Sequence, residues 1–308
     1  MKDLKKVGLW IAIVVGIVVA VDLLFGLAMK KYISTYRLKG DYRAVDHILT
    51  DSDDDELMVL GSSVALNSIN TKTLEDSLGI KIYNGGSNGQ TMPYYQTLLE
   101  IIAGRPKLKT VIMGLAEINL TDHGTGVRYR FLVPYYDTGY KPIDERLEGM
   151  SAMERVFLKS SLYRYNTMWF RILLYHFFEP GIKGANGFIA KDIPAFYPHK
   201  EILEQDMVMS DERACQLDSM AELCRKNGIR LIVCMTPRYE QRNIETDVER
   251  NLRSRAARGD FELWFDIAST PLSADSTMFY DNTHLNYKGA EIYTSTIIER
   301  LKNESRHQ

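Results

Sequence analysis

Residues 57–68 read LMVLGSSVALNS, and the reading of this stretch decides the fold. An apolar run closed by a glycine fits a strand buried on both faces, and the serines after it open a polar turn. Four further β-rich runs follow the same pattern: KIYN (81–84), LKTVIMG (108–114), IRLIVCM (229–235) and FELWFDI (261–267), each ending in a turn or loop signal. Helical patterns lie between several of them, at QTMPYYQTLLEIIAG (90–104) and SDERACQLDSMAELCRKNG (210–228). Strands alternating with helices predict an α/β domain built on a parallel sheet of about five strands, helices covering both faces. The run of roughly 110 residues between Asn119 and Ile229 is too long for one crossover helix, so residues 120–208 are expected as a helical and loop insertion rich in tyrosine.

The chain has 308 residues, 45% of them hydrophobic and 25% charged, which suits one catalytic domain with appendages. A net charge of -2 offers no basic field for a polyanion, so nucleic acid is not an expected partner. The N-terminus departs from ordinary globular composition. Val7–Val21 is uninterrupted apolar sequence, continued past Asp22 by LLFGLAM, and at ~1.5 Å per residue 7–29 reaches about 35 Å, enough for a ~30 Å hydrocarbon core. The run exceeds a usual signal-peptide core, and Lys30 and Lys31 follow without a small-x-small cleavage site, which favours a retained anchor. Lys2, Lys5 and Lys6 favour a cytoplasmic tail over 1–6, with the remainder extracytoplasmic. Residues 30–55, ending in the acidic run DSDDDE, read as a linker, and the folded domain is expected over 56–308. Cys215 and Cys224, nine residues apart on one helix, stand about 13.5 Å apart and cannot bridge, whereas a Cys224 to Cys234 bond stays open.

Chemistry concentrates in two places. The first is LGSS, where Ser63 follows a strand at the carboxyl edge of the sheet, the edge where open α/β folds bind ligands. The second is FYDNTHLN, with Asp281 three residues before His284. At that spacing within a turn a carboxylate reaches the imidazole Nδ1 and leaves Nε2 for a hydroxyl, which supplies nucleophile, base and orienter. The competing explanation is that Asp281 or Asn282 simply caps the amphipathic helix that follows. A second serine also competes, because GGSNG (85–89) matches the G-x-S-x-G elbow of α/β hydrolases around Ser87. That elbow would need an acid from another strand end, and its glycines equally suit a loop that brings backbone N–H groups to a ligand. Ser63 is therefore preferred.

LGSS, NGGSNGQT and DNTHLN, taken in order, resemble blocks of the SGNH (GDSL-type) hydrolase superfamily, and more narrowly its membrane-anchored cell-envelope branch. The resemblance implies a flavodoxin-like three-layer sandwich and a Ser63, His284, Asp281 triad, with no metal or cofactor. It implies an oxyanion hole from the N–H groups of Ser63 and Gly89. It also departs from the family, since MGLAE puts Ala116 where a donor asparagine belongs and Glu117 at the acid position. Asn119 or Asn88 is then the candidate substitute. The implied activity is serine esterase or O-acyltransferase chemistry on an envelope glycan or another hydroxyl acceptor. The alternative is a catalytically weak accessory protein of a membrane acyltransferase, contacting it through the anchor and Asp22. His123, Arg128 and Arg130, in TDHGTGVRYR, are candidate contacts for an anionic substrate.

Overall fold

The computed structural model describes residues 2–122, 129–166, 168–178, 183–203, 205–242, 244–264 and 271–305. Along the chain the helices are α1 (Lys2–Thr35), α2 (Arg43–Thr50), α3 (Ser63–Ser68), α4 (Thr71–Leu78), α5 (Met92–Ile102), α6 (Lys141–Glu148), α7 (Ala152–Phe157), α8 (Ser161–Tyr165), α9 (Met168–Phe177), α10 (Asp211–Lys226), α11 (Asp247–Ala257) and α12 (Tyr287–Ser305). The strands are β1 (Leu57–Gly61), β2 (Ile82–Asn84), β3 (Thr110–Leu115), β4 (Glu201–Leu203), β5 (Arg230–Met235), β6 (Glu240–Arg242) and β7 (Glu262–Trp264). The chain forms two compact units, one from residues 1–42 with 129–180 and the other from 43–128 with 181–308.

The second unit is the α/β body. Its five-stranded sheet has the order β2-β1-β3-β5-β7 and every pairing is parallel. Such a sheet is stable only with both faces covered, and β1 is buried at every position. Val59, Ile112 and Ile232 lie side by side in register across the three central strands, all fully buried. Each contributes about 1.5–3 kcal/mol by leaving water. The strand order reverses beside β1, which makes the carboxyl ends of β1 and β3 the expected place for a ligand. A small second sheet pairs β4 with β6 in parallel.

Two residues without side chains let a helix settle on that switch point. Gly61 and Gly114 are in register on β1 and β3, and a Cβ on either would stand 2.7 Å from the Ala65 Cβ of α3. At Gly61 the φ of +150° adds a backbone reason for glycine. At the free edge of the sheet, the Asn84 N–H on β2 donates to Asn186 O at 2.8 Å. Gly187, with φ +86°, presses so close there that a Cβ would lie 2.0 Å from Asn84 O.

Three expectations need correction. Residues 30–55 are not a linker: α1 runs on to Thr35, and α2 buries Ala44, Val45, Ile48 and Leu49, so the folded body starts at Arg43. The apolar positions of RAVDHILT form a helical stripe, and His47 Nε2 meets Asp55 Oδ2 at 2.7 Å while its ring stacks on Tyr83 at 3.5 Å. LGSS leads directly into helix α3 instead of a polar turn, because Ser62 takes an extended N-cap conformation and Val64, Ala65 and Leu66 bury behind it. Cys224 and Cys234 form no disulfide and are both buried, with Cys234 Sγ 2.9 Å from the Tyr293 hydroxyl.

The first unit contains α1 and α6–α9. Of all described helices, only α1 is long and apolar enough to cross a membrane, with a mean hydropathy of 2.8 in an 18-residue window within Leu4–Thr35 and little of that window covered. Its one carboxylate in the apolar stretch, Asp22, is occupied within the chain, accepting hydrogen bonds from Ser160 Oγ at 2.7 Å, Ser161 N at 3.1 Å and Leu162 N at 2.7 Å. Asp22 thus takes two N–H groups at the start of α8, beside the N-cap Ser160. Within the expected insertion, 129–180 belongs to this unit and 183–203 to the α/β body.

Candidate active site

Ser63 and His284 stand 221 residues apart in sequence and 2.7 Å apart in space, Oγ to Nε2. Ser63 is the first residue of α3, carried to the carboxyl end of β1, and His284 sits in the loop before α12. That loop is closed by an antiparallel bridge between Phe279 and Leu285, both fully buried, so the imidazole hangs from two core anchors. On its other side, His284 Nδ1 lies 2.9 Å from both oxygens of Asp281. A carboxylate only accepts, so Nδ1 carries the proton and Nε2 of the neutral ring is the acceptor facing the serine hydroxyl.

Asp281 does more than touch the ring. Its Oδ1 also accepts from Thr283 N, Thr283 Oγ1 and His284 N, each at 2.9 Å, which folds the turn around one oxygen. Burial opposes the charged form, but the hydrogen bonds from His284 and Thr283 outweigh it and hold the Asp281 carboxyl well below the ordinary carboxylate range. The capping explanation fails on position. Asn286 caps α12, its Oδ1 accepting from Lys288 N at 3.0 Å and Gly289 N at 3.2 Å.

Around Ser63 is a pocket of about 180 Å³, walled by Ser62, Ser63, Gly89, Gln90, Asn119 and His284 among others. The N–H groups of Ser63 and Gly89 make no hydrogen bond among the described residues, so both are available as donors. Gly89 is in the left-handed region at φ +65°, and its loop is pinned by Tyr95, whose hydroxyl donates to Gln90 O at 2.5 Å. Asn119 also reaches the wall. Its Oδ1 accepts from Ala116 N at 2.9 Å, which leaves Nδ2 without a partner in the described chain and open to the pocket. Of the two candidate substitutes for the missing asparagine, Asn119 is in the wall, whereas Asn88 is exposed and outside it. Glu117 is buried and accepts from Thr246 Oγ1, the N-cap of α11, which makes it a structural carboxylate.

Ser87 is not joined to this arrangement. It is buried, its N–H donates to Gly61 O at 3.0 Å, and His284 Nε2 faces Ser63 instead. His123 and Arg128 lie outside the described residues. Arg130 is exposed in the unit that contains α1, and every wall residue of the pocket comes from the α/β body. A larger pocket of about 510 Å³ opens at the amino ends of β5 and β7, beside Arg230 and Glu262. Among the described residues it holds no serine or histidine.

Two residues at the site escaped the sequence reading. Asn84, fully buried at the end of β2, donates through Nδ2 to Ala65 O at 2.9 Å and Ile69 O at 3.0 Å and accepts from Gly86 N at 2.9 Å. It ties the helix bearing Ser63 to the loop bearing Gly89. Arg213 of α10 is also in the wall, on a helix face that reads as solvated.

No family model matches the sequence, and no curated protein matches it. Among solved structures the chain is similar to YxiM from Bacillus subtilis, with a TM-score of 0.44 and 13% identity, covering 82% of this chain and 57% of that one. It is also similar to a Bacteroides fragilis protein provisionally described as an acylhydrolase, with a TM-score of 0.45 and 11% identity, covering 87% of this chain and 99% of that one. The chain thus spans little more than half the length of the Bacillus protein.

Proposed function

We propose that this chain is a membrane-anchored serine esterase or O-acyltransferase of SGNH type that handles a small acyl group on an envelope glycan through an acyl-serine intermediate. The observation that carries the reading is the line from Asp281 through His284 to Ser63, with 2.9 Å and 2.7 Å at its two joints. The order of the LGSS, NGGSNGQT and DNTHLN motifs supports the same assignment.

In this mechanism the Ser63 hydroxyl gives its proton to His284 Nε2 as Oγ bonds to the ester carbonyl carbon. Charge collects on the carbonyl oxygen, where the N–H groups of Ser63 and Gly89 and the Asn119 amide supply donors that need no rearrangement. Asp281 stays ionised and stabilises the imidazolium. The tetrahedral intermediate then expels the alkoxide, which takes the proton back from His284, and the acyl group remains on Ser63. Water or a sugar hydroxyl next gives its proton to His284 and attacks the acyl carbon, and Ser63 leaves as the restored hydroxyl.

Incubating the full chain in detergent with 4-nitrophenyl acetate tests this. Release of nitrophenolate with an acetyl adduct on the Ser63 peptide is expected, and Ser63→Ala should abolish both. An adduct that survives Ser63→Ala would end the assignment. The accessory reading draws on Ala116, which lacks the family's donor; co-purification of an integral membrane protein with an inert chain would favour it. Asn119 weighs against it, because its amide offers a donor in the same pocket. The apolar α1 supports single-pass anchoring with the α/β body outside the cytoplasmic membrane.

A further inference from the structure

We propose that the pocket binds an anionic group, a carboxylate or a phosphate, beside the acyl site, and that Arg213 is the residue that selects it. This rests on the assignment of the Ser63 pocket as a substrate site. Among the described residues, Arg213 is the one permanently charged side chain in the wall of that pocket. Its side chain is only 11% exposed, so the guanidinium has given up most of its water. The protein repays little of that loss. Nη1 meets Gln216 Oε1 at 2.9 Å and the carboxylate of Glu212 only at 3.5 Å, and Glu212 is 68% exposed. Nε and Nη2 make no hydrogen bond among the described residues. These two nitrogens are not sealed off from solvent, so a ligand entering the pocket can reach them, and the guanidinium fork matches a carboxylate or phosphate. Tyr95, whose hydroxyl holds Gln90 O beside Gly89, lies near enough to Arg213 to feel its charge.

Binding to full-length Ser63→Ala protein in detergent tests the idea without requiring turnover. Methyl glucuronide and glucose 6-phosphate are titrated against methyl glucoside by calorimetry. At least one anionic sugar should bind about tenfold more tightly than the neutral one, in line with a charged hydrogen-bonded contact. Arg213→Met should erase the preference and Arg213→Lys should restore part of it. Equal binding of all three sugars, or a preference that survives Arg213→Met, overturns the anion subsite. A failed Ser63 labelling experiment sinks the reaction and leaves this binding result standing on its own.

A different observation carries a second inference. The geometry points to α7–α9 as a collar lying in the lipid leaflet around the outer half of α1, provided α1 spans the bilayer. Asp22 precedes Lys30 by eight residues, so on a straight helix the N-terminus of α8 is held about 12 Å below the level of that lysine. The contact is intimate, since a Cβ at Gly26 would overlap Ser161 Oγ, and Phe25 meets Tyr165 edge to face at 6.0 Å. The start of α8 is equipped for a dry setting. Asp22 takes the N–H groups of Ser161 and Leu162, and Ser160 Oγ takes that of Tyr163 at 3.2 Å. Yet Phe157, Leu162, Trp169, Phe170, Leu174 and Phe177 are all exposed on these helices. Two of their charged neighbours find partners inside the unit, Arg171 on Asp41 at 3.1 Å and Arg164 on Tyr136 O at 3.2 Å, while Lys159 is exposed between α7 and α8. Continuity with α1 names the occupant of this apolar surface as lipid chains.

An environment-sensitive fluorophore on Phe157→Cys or Phe177→Cys, in full-length Cys215→Ser protein in phosphatidylcholine vesicles, reads the depth. Quenching by nitroxide-labelled lipid with shielding from aqueous iodide is expected. Iodide quenching without lipid quenching overturns the collar, as would shielding from both quenchers, which would mean protein covers the surface. The same label on Val14→Cys reports separately whether α1 is in the bilayer.

Discussion

Replacing Gly114 by alanine should damage stability and catalysis together, through one contact. The new Cβ would stand 2.7 Å from the Ala65 Cβ, where ordinary contact begins at 3.4 Å, so α3 and β3 must separate by about 0.7 Å. Ala65 lies two residues beyond Ser63 on the same short helix, so the nucleophile moves with it. Overpacking of this kind costs about 1–3 kcal/mol. For a body of this size that lowers Tm by roughly 2–12 °C. A nucleophile displaced by most of an ångström should lose about 10- to 100-fold in kcat/KM. Ala65→Gly alone costs about 0.5–1 kcal/mol of helix propensity. The double variant should nonetheless recover much of both losses, because the nearest clash is gone. The assay is a double-mutant cycle on the full chain, with thermal melts and 4-nitrophenyl acetate turnover, and a coupling of at least about 1 kcal/mol is expected. Additive effects would refute the close approach of α3 to β3 as the reason for glycine here. The remaining contacts, 3.1 Å to Ala65 Cα and 3.3 Å to Ile69, mean that full recovery is not expected.

Asn119→Ala should lower kcat by about 10²–10³ with a small change in KM, read in the same esterase assay, because it deletes a donor that acts on developing charge. Asp281→Asn should cost about 10⁴ in kcat by disturbing the tautomer, and a loss under tenfold would exclude Asp281 as the orienter. Because the folded-state pKa of Asp281 is depressed, its contribution to stability is present above the unfolded carboxylate pKa of about 3.9 and is lost as pH falls toward the folded value. The Tm difference between wild type and Asp281→Asn should therefore shrink as pH falls below about 4. Tyr293→Phe removes the hydroxyl that donates to Met235 O at 2.8 Å and sits against Cys234, and should cost about 0.5–1.5 kcal/mol in a denaturant titration without moving KM.

What the sequence made legible follows from how local each signal is. β1, β3 and β5 are continuous apolar runs because both faces of the sheet are covered, and a run of that kind announces itself. Asp281 and His284 are three residues apart, so a turn suffices to join them, and the pairing with Ser63 came from the order of motifs. The linker reading of 30–55 failed because α2 is eight residues long and flanked by charge, too short for a periodic pattern to stand out. Arg213 resembles the other charged residues of α10, and only the packing of that helix on α5 turns it toward the pocket instead of solvent. The partners of Asp22 are hidden for the same reason: they are 138 to 140 residues away, and nothing local marks them.

The close packing of Gly187 against β2 bears on how the protein keeps to itself. A parallel sheet ends in a strand whose outer N–H and C=O groups invite another chain, and β2 is such a strand. Here the turn at Asn186 and Gly187 occupies that row, with Arg43 Nη2 donating to Gly187 O at 3.1 Å to hold it in place. The turn can lie this close because position 187 has no side chain, so the Asn84 N–H is spent within the chain. A bulkier residue there would lift the turn and leave the Asn84 N–H at the sheet edge without its partner.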